Sequence, residues 1–323
     1  MPDCLTSELP FRLAGGLSTG AVYAMIALGY TLVYGVLQLI NFAHSEVFML
    51  GSLASFLTVG ALVPDTGVTG QTQGTLILLA AAVPAVIIGG VAAVALERVA
   101  YRPLRRRNAP RLAYLISAIG ASLFLSNSVR IWRGPNFETL PRTIQSRIVL
   151  DLGDTFFSGI LPESVQRVRI QNRDIIVFVV AMLAMVAVDQ FINRSRTGRG
   201  VRAVAQDSET AGLMGVNINK VITVTFLIGG LLAGAAGLLF AWSFGVTRFQ
   251  LGFLPGIKAF TAAVLGGIGN IRGALAGGLL LGVFENVAAG CFGVQWRDVV
   301  AFLILVLVLL FRPTGLFGDK EAT

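Results

Sequence analysis

Uninterrupted apolar runs of about twenty residues recur along almost the whole chain, and this restricts the fold more than any other feature. Such a run matches the hydrocarbon core of a bilayer, roughly 30 Å thick, at about 1.5 Å of helix per residue. Run length places helices over 14–40, 46–63, 75–97, 112–131, 175–192, 221–242, 273–291 and 297–312. A further apolar piece, 254–270, is short and ends in glycines. It suits a re-entrant half-helix, whose freed backbone groups must be covered by protein or face a cavity. Charged residues make up 13% of the chain, against about 25% in an ordinary soluble domain. No large water-soluble domain therefore fits between the spans, and the stretch 132–174 suffices only for a small cap or ordered loop. The expected fold is an all-α polytopic membrane bundle, a single transmembrane domain over 1–323 with about eight spanning helices plus the half-helix.

The charge follows the same logic. A formal +8 from 22 Arg, 3 Lys and 17 acids would suggest nucleic acid in a soluble protein. Here the excess lies mostly in two short segments between spans, 98–111 and 194–220, where the positive-inside bias puts it, so no nucleic-acid partner is expected. Arg102, Arg105, Arg106, Arg107 and Arg111, with no acid among them, fix 98–111 as a cytoplasmic loop. The N-terminus then lies outside, 132–174 is extracytoplasmic, and 194–220 is cytoplasmic. Six arginines in 132–174 sit among Glu138, Asp151, Asp154, Glu163 and Asp174. Eight full crossings leave the C-terminus outside, whereas a full crossing by 254–270 brings it inside; run length does not decide between these. Asp3 and Glu8 precede Arg12, which is unlike the basic start of a cleaved signal peptide. Cys4 and Cys291 have no metal spacing and no evident reason to pair.

The chemistry that is missing narrows the function. His44 is the sole histidine, which excludes multi-histidine metal sites and argues against a Ser-His-Asp triad. The three lysines, Lys220, Lys258 and Lys320, follow Asn219, Ile257 and Asp319. There is thus no Gly-Lys-Ser/Thr phosphate loop, and any ATP that drives this chain must bind another. Neither a cofactor nor a metal is expected. Pairs of glycines four apart, Gly16/Gly20, Gly230/Gly234, Gly273/Gly277 and Gly278/Gly282, lie on single helix faces and read as close packing seams.

Three polar features interrupt the apolar pattern. In 35–51, Asn41, His44 and Glu46 stand between two spans. Two readings are open: His44 and Glu46 pair at a helix start with Asn41 or Ser45 as a cap, or they line a solute path. In 195–220, Glu209, Thr210 and Ala211 are followed, after three more residues, by Gly215, the pattern of a short small-residue helix ended by a sharp turn. It suits docking into another protein's groove, or is simply a solvated basic loop. In 256–273, Thr261 precedes Gly266, Gly267 and Gly269 with Asn270. This is either a broken helix offering free backbone groups to a polar solute or a plain tight turn.

Longer stretches carry a resemblance. ALGYTLVYG with INFAHSEVFMLGS within 16–52, ERVAYRPLR at 97–105, LISAIGASLFLSN at 115–127, the stretch 209–217, KAFTAAVLGGIGNIRGALAGGLLLG at 258–282 and RPTGLFG from Arg312 follow one another almost end to end. Together they resemble the inner-membrane permease subunits of bacterial branched-chain amino-acid ABC transporters, the LivH-like type. Ser45 stands where that family usually has glycine, and 136–173 matches no motif of it.

The resemblance implies an importer subunit in the bacterial inner membrane, surrounded by membrane lipid, that moves branched-chain or related amino acids. Its implied partners are a second homologous permease, two cytosolic ATPases and an extracytoplasmic solute-binding protein. It also implies that Glu209, Thr210, Ala211 and Gly215 form the coupling helix that the ATPases grip. Asn41, His44, Glu46, Thr261, Gly266, Gly267 and Asn270 are the candidates for the translocation path. The competing reading is an ion-coupled secondary carrier of amino acids, amides or urea, with Glu46, Lys258 and Glu285 as its coupling charges.

Overall fold

A computed structural model of the protein describes residues 9–63, 71–140, 172–312 and 314–318. Eight helices among them are long and apolar enough to cross a membrane. They are α1 (Leu9–Leu37), α2 (His44–Leu62), α3 (Gln71–Leu96), α5 (Arg111–Arg133), α6 (Asn172–Arg194), α9 (Ile218–Phe244), α11 (Ile271–Phe292) and α12 (Arg297–Phe311), the last taken together with the helical turn Val294–Trp296 that precedes it. A π-helical turn, Glu97–Tyr101, and the short α4 (Arg102–Arg106) prolong α3, so most of the basic segment 98–111 continues the span and does not form an open loop. Between α6 and α9 lie α7 (Arg196–Gln206) and α8 (Ser208–Leu213). The half-helix is α10 (Phe253–Gly266), shorter than the expected 254–270 because the chain turns at Gly267, whose φ is +102°. The first helix stops at Leu37 and not at residue 40, because Gln38 turns left-handed with a φ of 50°.

Glycine seams hold the centre together. Most of α1 is buried, chiefly against the antiparallel α11. A Cβ on Gly20 would sit 2.7 Å from the carbonyl oxygen of Gly278, so the predicted pairs Gly16/Gly20 and Gly278/Gly282 face one another. Gly51 on α2 meets Gly234 on α9 in the same way, with a Cβ only 2.6 Å from the Gly234 Cα. Gly89 on α3 approaches Gly230 and Gly234 from a third direction. Outside this core, large side chains of α3, α5 and α12, such as Leu79, Phe124 and Leu310, are exposed and suit the hydrocarbon of a bilayer.

The segment that follows α9 crosses the bundle in two pieces. Val246–Thr247 (β2) pairs antiparallel with Glu138–Thr139 (β1), and Thr247 accepts from Ser52 Oγ at 2.9 Å. The chain then runs along α2 until Gly252 packs against Ser45 and Glu46, and α10 completes the crossing. At its far end the tail folds back: Leu316 N donates to Leu265 O at 2.8 Å, and Phe317 N to Gly266 O at 3.0 Å. Asn270 Nδ2 donates to Phe317 O at 2.9 Å. The RPTGLFG stretch thus satisfies the carbonyls that the end of α10 leaves open. It lies at the same end of the bundle as Gln38 and Asn193, which share one cavity with Asn270, Thr314 and Gly318. This answers the question that run length left open: the crossing that contains α10 brings the tail to the basic end.

Cys291, at the last turn of α11, is disulfide-bonded, which corrects the expectation that it has no reason to pair. Cys4 lies outside the described residues, as do residues 141–171 of the expected 132–174 loop.

Candidate solute path and coupling segment

The α1–α2 turn separates the residues that the sequence groups together. Asn41 Oδ1 accepts from the Ala43 amide at 3.1 Å and from Tyr101 OH at 2.8 Å, which fixes the turn that launches α2. His44 is buried against Gly29, Gly229 and the ring of Tyr30, whose centroid lies 5.0 Å away. A side chain at Gly29 would occupy the place of the imidazole. Glu46 faces elsewhere, accepting from Ser122 Oγ on α5 at 3.1 Å. His44 and Glu46 therefore do not pair at the helix start, and only Glu46 opens into a cavity. That cavity, about 360 Å³, lies between α5 and 248–254 and is also lined by Ser122, Arg130, Arg248 and Phe253.

A polar link joins this turn to the start of α9. The π-helical turn adds a residue to the local repeat, and Glu97 and Tyr101 are both buried. Glu97 Oε1 accepts from Arg105 Nη2 at 2.9 Å, and its Oε2 accepts from Thr223 Oγ1 at 3.2 Å. Arg105 also donates to Asn219 Oδ1 at 2.8 Å. The ERVAYRPLR stretch thus ties α3 to α9 through Glu97 and Arg105, and to the α1–α2 turn through Tyr101.

The candidates on α10 are mostly structural. Thr261 is fully buried, Gly266 packs on Gly273, and Gly267 on Gly318. Asn270 caps α11, accepting from the amides of Arg272 at 3.0 Å and Gly273 at 3.1 Å. It also borders the cavity of about 980 Å³ at the basic end. Asn41 and His44 are likewise enclosed, so the seven candidates do not converge on one site.

Lys258 and Glu285 form a buried cluster. Lys258 Nζ lies 2.7 Å from Glu285 Oε1 and 2.6 Å from Asp298 Oδ1, and Arg297 Nε is 3.4 Å from the same Glu285 oxygen. Tyr23 OH also reaches that oxygen at 3.4 Å. Charges that neutralise one another so closely join α1, α10, α11 and α12, and are poorly suited to bind and release a coupling ion.

The segment 194–220 is a pair of helices. The N-cap Ser195 Oγ accepts from Gly198 N at 2.8 Å and starts α7, whose Val201 and Val204 face the bundle. Asp207 begins α8, accepting from Glu209 N at 2.9 Å, Thr210 N at 3.1 Å and Thr210 Oγ1 at 2.5 Å. These bonds, from the Thr210 side chain and then its amide, hold the Asp207 carboxyl below the usual carboxylate range. Ala211 is buried, while Glu209, Thr210, Leu213 and Met214 are exposed. Gly215, with φ +84°, ends the helix with no neighbour against it.

Residues 12–309 match the family described as branched-chain amino acid transport system / permease component. The chain belongs to that permease family. The permease is 46% identical over 310 residues to the high-affinity branched-chain amino acid transport system permease protein BraD of Pseudomonas aeruginosa, which covers 96% of each chain. It is 42% identical to the corresponding protein LivH of Escherichia coli K12, again over 96% of each. A fructose import permease protein, FrcC of Rhizobium meliloti, is 31% identical over 45% of this chain and 42% of its own. No solved structure matches. The permease is thus a multi-pass membrane transport protein. Its sequence did not single out Glu97, Tyr101, Ser122, Arg130 or Arg248 as site residues. For Glu97, Tyr101 and Ser122 a signal existed, since ERVAYRPLR and LISAIGASLFLSN were conspicuous as stretches.

Proposed function

We propose that this permease forms one half of the path of an ATP-driven importer for branched-chain or related aliphatic amino acids. A second homologous permease completes the path, two cytosolic ATPases drive it, and an extracytoplasmic binding protein supplies the solute. The observation that carries this reading is the α8 surface: an exposed Leu213 and Met214 beside an unobstructed Gly215, on a segment tied to α9 and hence to the Glu97–Tyr101 link. Small rigid-body shifts of such a segment would be passed to the α1–α2 turn. Cytoplasmic placement of α8 is supported by the arginines of 98–111. The disulfide of Cys291, at the opposite end of α11 from Asn270, fits an oxidising exterior.

The test is Gly215→Trp, paired with Met214→Asp. Both are expected to abolish leucine uptake and release or uncouple the ATPases, while the permease still extracts as a monodisperse protein. Solute movement by the purified permease alone in liposomes without ATP would overturn the reading.

A further inference from the structure

We propose that the cavity between α5 and 248–254 is a subsite for the head group of a zwitterionic α-amino acid, with Glu46 receiving the ammonium and Arg130 and Arg248 the carboxylate. This names the solute-contacting site within the import reading and rests on it. Glu46 is 2% exposed and lines the cavity, yet it has one protein hydrogen bond, from Ser122, and its Oε2 is without a partner among the described residues. A carboxylate buried in a membrane protein without a cation is costly, and a ligand ammonium offsets that cost.

Arg130 and Arg248 border the same space, and neither is in an ion pair among the described residues. Arg130 stands 5.7 Å over the ring of Phe249, and Arg248 stands 4.7 Å over that of Phe137. Such stacking orients a guanidinium and leaves its N–H groups for a carboxylate. The remaining wall is mixed: Leu123, Phe253 and Leu254, each more than a third exposed, give it an apolar part, and Ser126, Asn127 and Gln250 a neutral polar one. A volume of about 360 Å³ has room for one aliphatic side chain beside its head group. One negative group and two positive groups beside a partly apolar wall suit the charged head group and short side chain of an aliphatic amino acid better than an uncharged sugar.

The experiment uses the full permease with Ser122→Cys in membrane vesicles, and follows modification of that thiol by a charged reagent. Leucine is expected to slow labelling at least tenfold more effectively than 3-methylbutylamine, which lacks the carboxylate, or 4-methylpentanoate, which lacks the ammonium. Adding Glu46→Gln should abolish the advantage of leucine over 4-methylpentanoate. Adding Arg130→Ala and Arg248→Ala should abolish its advantage over 3-methylbutylamine.

In the assembled importer, Glu46→Gln should lower leucine uptake at least tenfold. Equal protection by all three compounds overturns the subsite, and the labelling arm with native Glu46 decides this even where Glu46→Gln fails to fold. Uptake by Glu46→Gln within twofold of the unaltered importer also overturns it, while leaving the import reading intact. An unaltered importer that moves no amino acid overturns the import reading itself.

Discussion

Glu285 and Glu46 are both carboxylates buried within membrane-spanning helices, and their surroundings differ in one respect. Glu285 meets Lys258, Arg297 and Tyr23, whereas Glu46 meets Ser122 and a cavity. In a bilayer an ionisable group needs a partner, and the source of the partner separates the two roles. A charge satisfied by the protein joins helices. A charge left for something else to satisfy faces a space where that something fits. His44 illustrates a third case: it is buried between Gly29 and Gly229 and borders no cavity that Glu46 lines.

The largest effect is expected from taking its nearest cation from Glu285, which leaves it only the longer contacts with Arg297 and Tyr23. Lys258→Met removes its nearest cation and also strips Asp298 of its partner. Breaking a buried pair in this way costs about 3–5 kcal/mol. A large drop in thermal stability of the detergent-solubilised permease is expected, with most of it restored in Lys258→Met with Glu285→Met. A single variant as stable as the unaltered protein would show that the cluster does not hold the helices together.

A smaller effect is expected from crowding Glu46. Gly252 has helical φ and ψ, −65° and −36°, so backbone conformation does not require glycine there. Space does, because a Cβ would lie 2.7 Å from Glu46 Oε2 and from Ser45 O. Gly252→Val is expected to destabilise by about 1–3 kcal/mol through overpacking and to cut leucine uptake more than stability alone explains. Gly252→Ala should show a weaker version of both. Unchanged uptake in Gly252→Val would mean that the position of Glu46 has no bearing on transport.

Run length and glycine spacing made the eight spans and the half-helix legible, because both follow from local chain chemistry. Gly16/Gly20 and Gly278/Gly282 even announced their seam, since residues four apart share a helix face. What the sequence concealed depends on contacts between distant residues. His44 and Glu46 are two positions apart, and nothing local says that one faces α1 and α9 while the other faces α5. The partner of Glu46 is Ser122, and the arginines across its cavity lie farther still along the chain. The π-helical turn at 97–101 was equally hidden. It is set by burial of Glu97 and Tyr101 against α9 and the α1–α2 turn, not by the propensity of ERVAY.

The smallest effect is expected at Asp207, whose carboxylate is hydrogen-bonded but exposed to water. Its folded-state pKa is lowered, so the stabilisation of α8 is fully present above the ordinary carboxylate value, about 3.9. That stabilisation is lost as pH falls through the lowered value. Asp207→Ala should accelerate amide exchange at Glu209 and Thr210 at neutral pH without moving the thermal transition of the bundle. Asp207→Asn, which keeps a side-chain acceptor, should restore protection and remove its acid dependence. A shift of the whole transition by Asp207→Ala would show that α8 is part of the packed core, and that water does not screen this carboxylate as the contrast with the two buried ones requires.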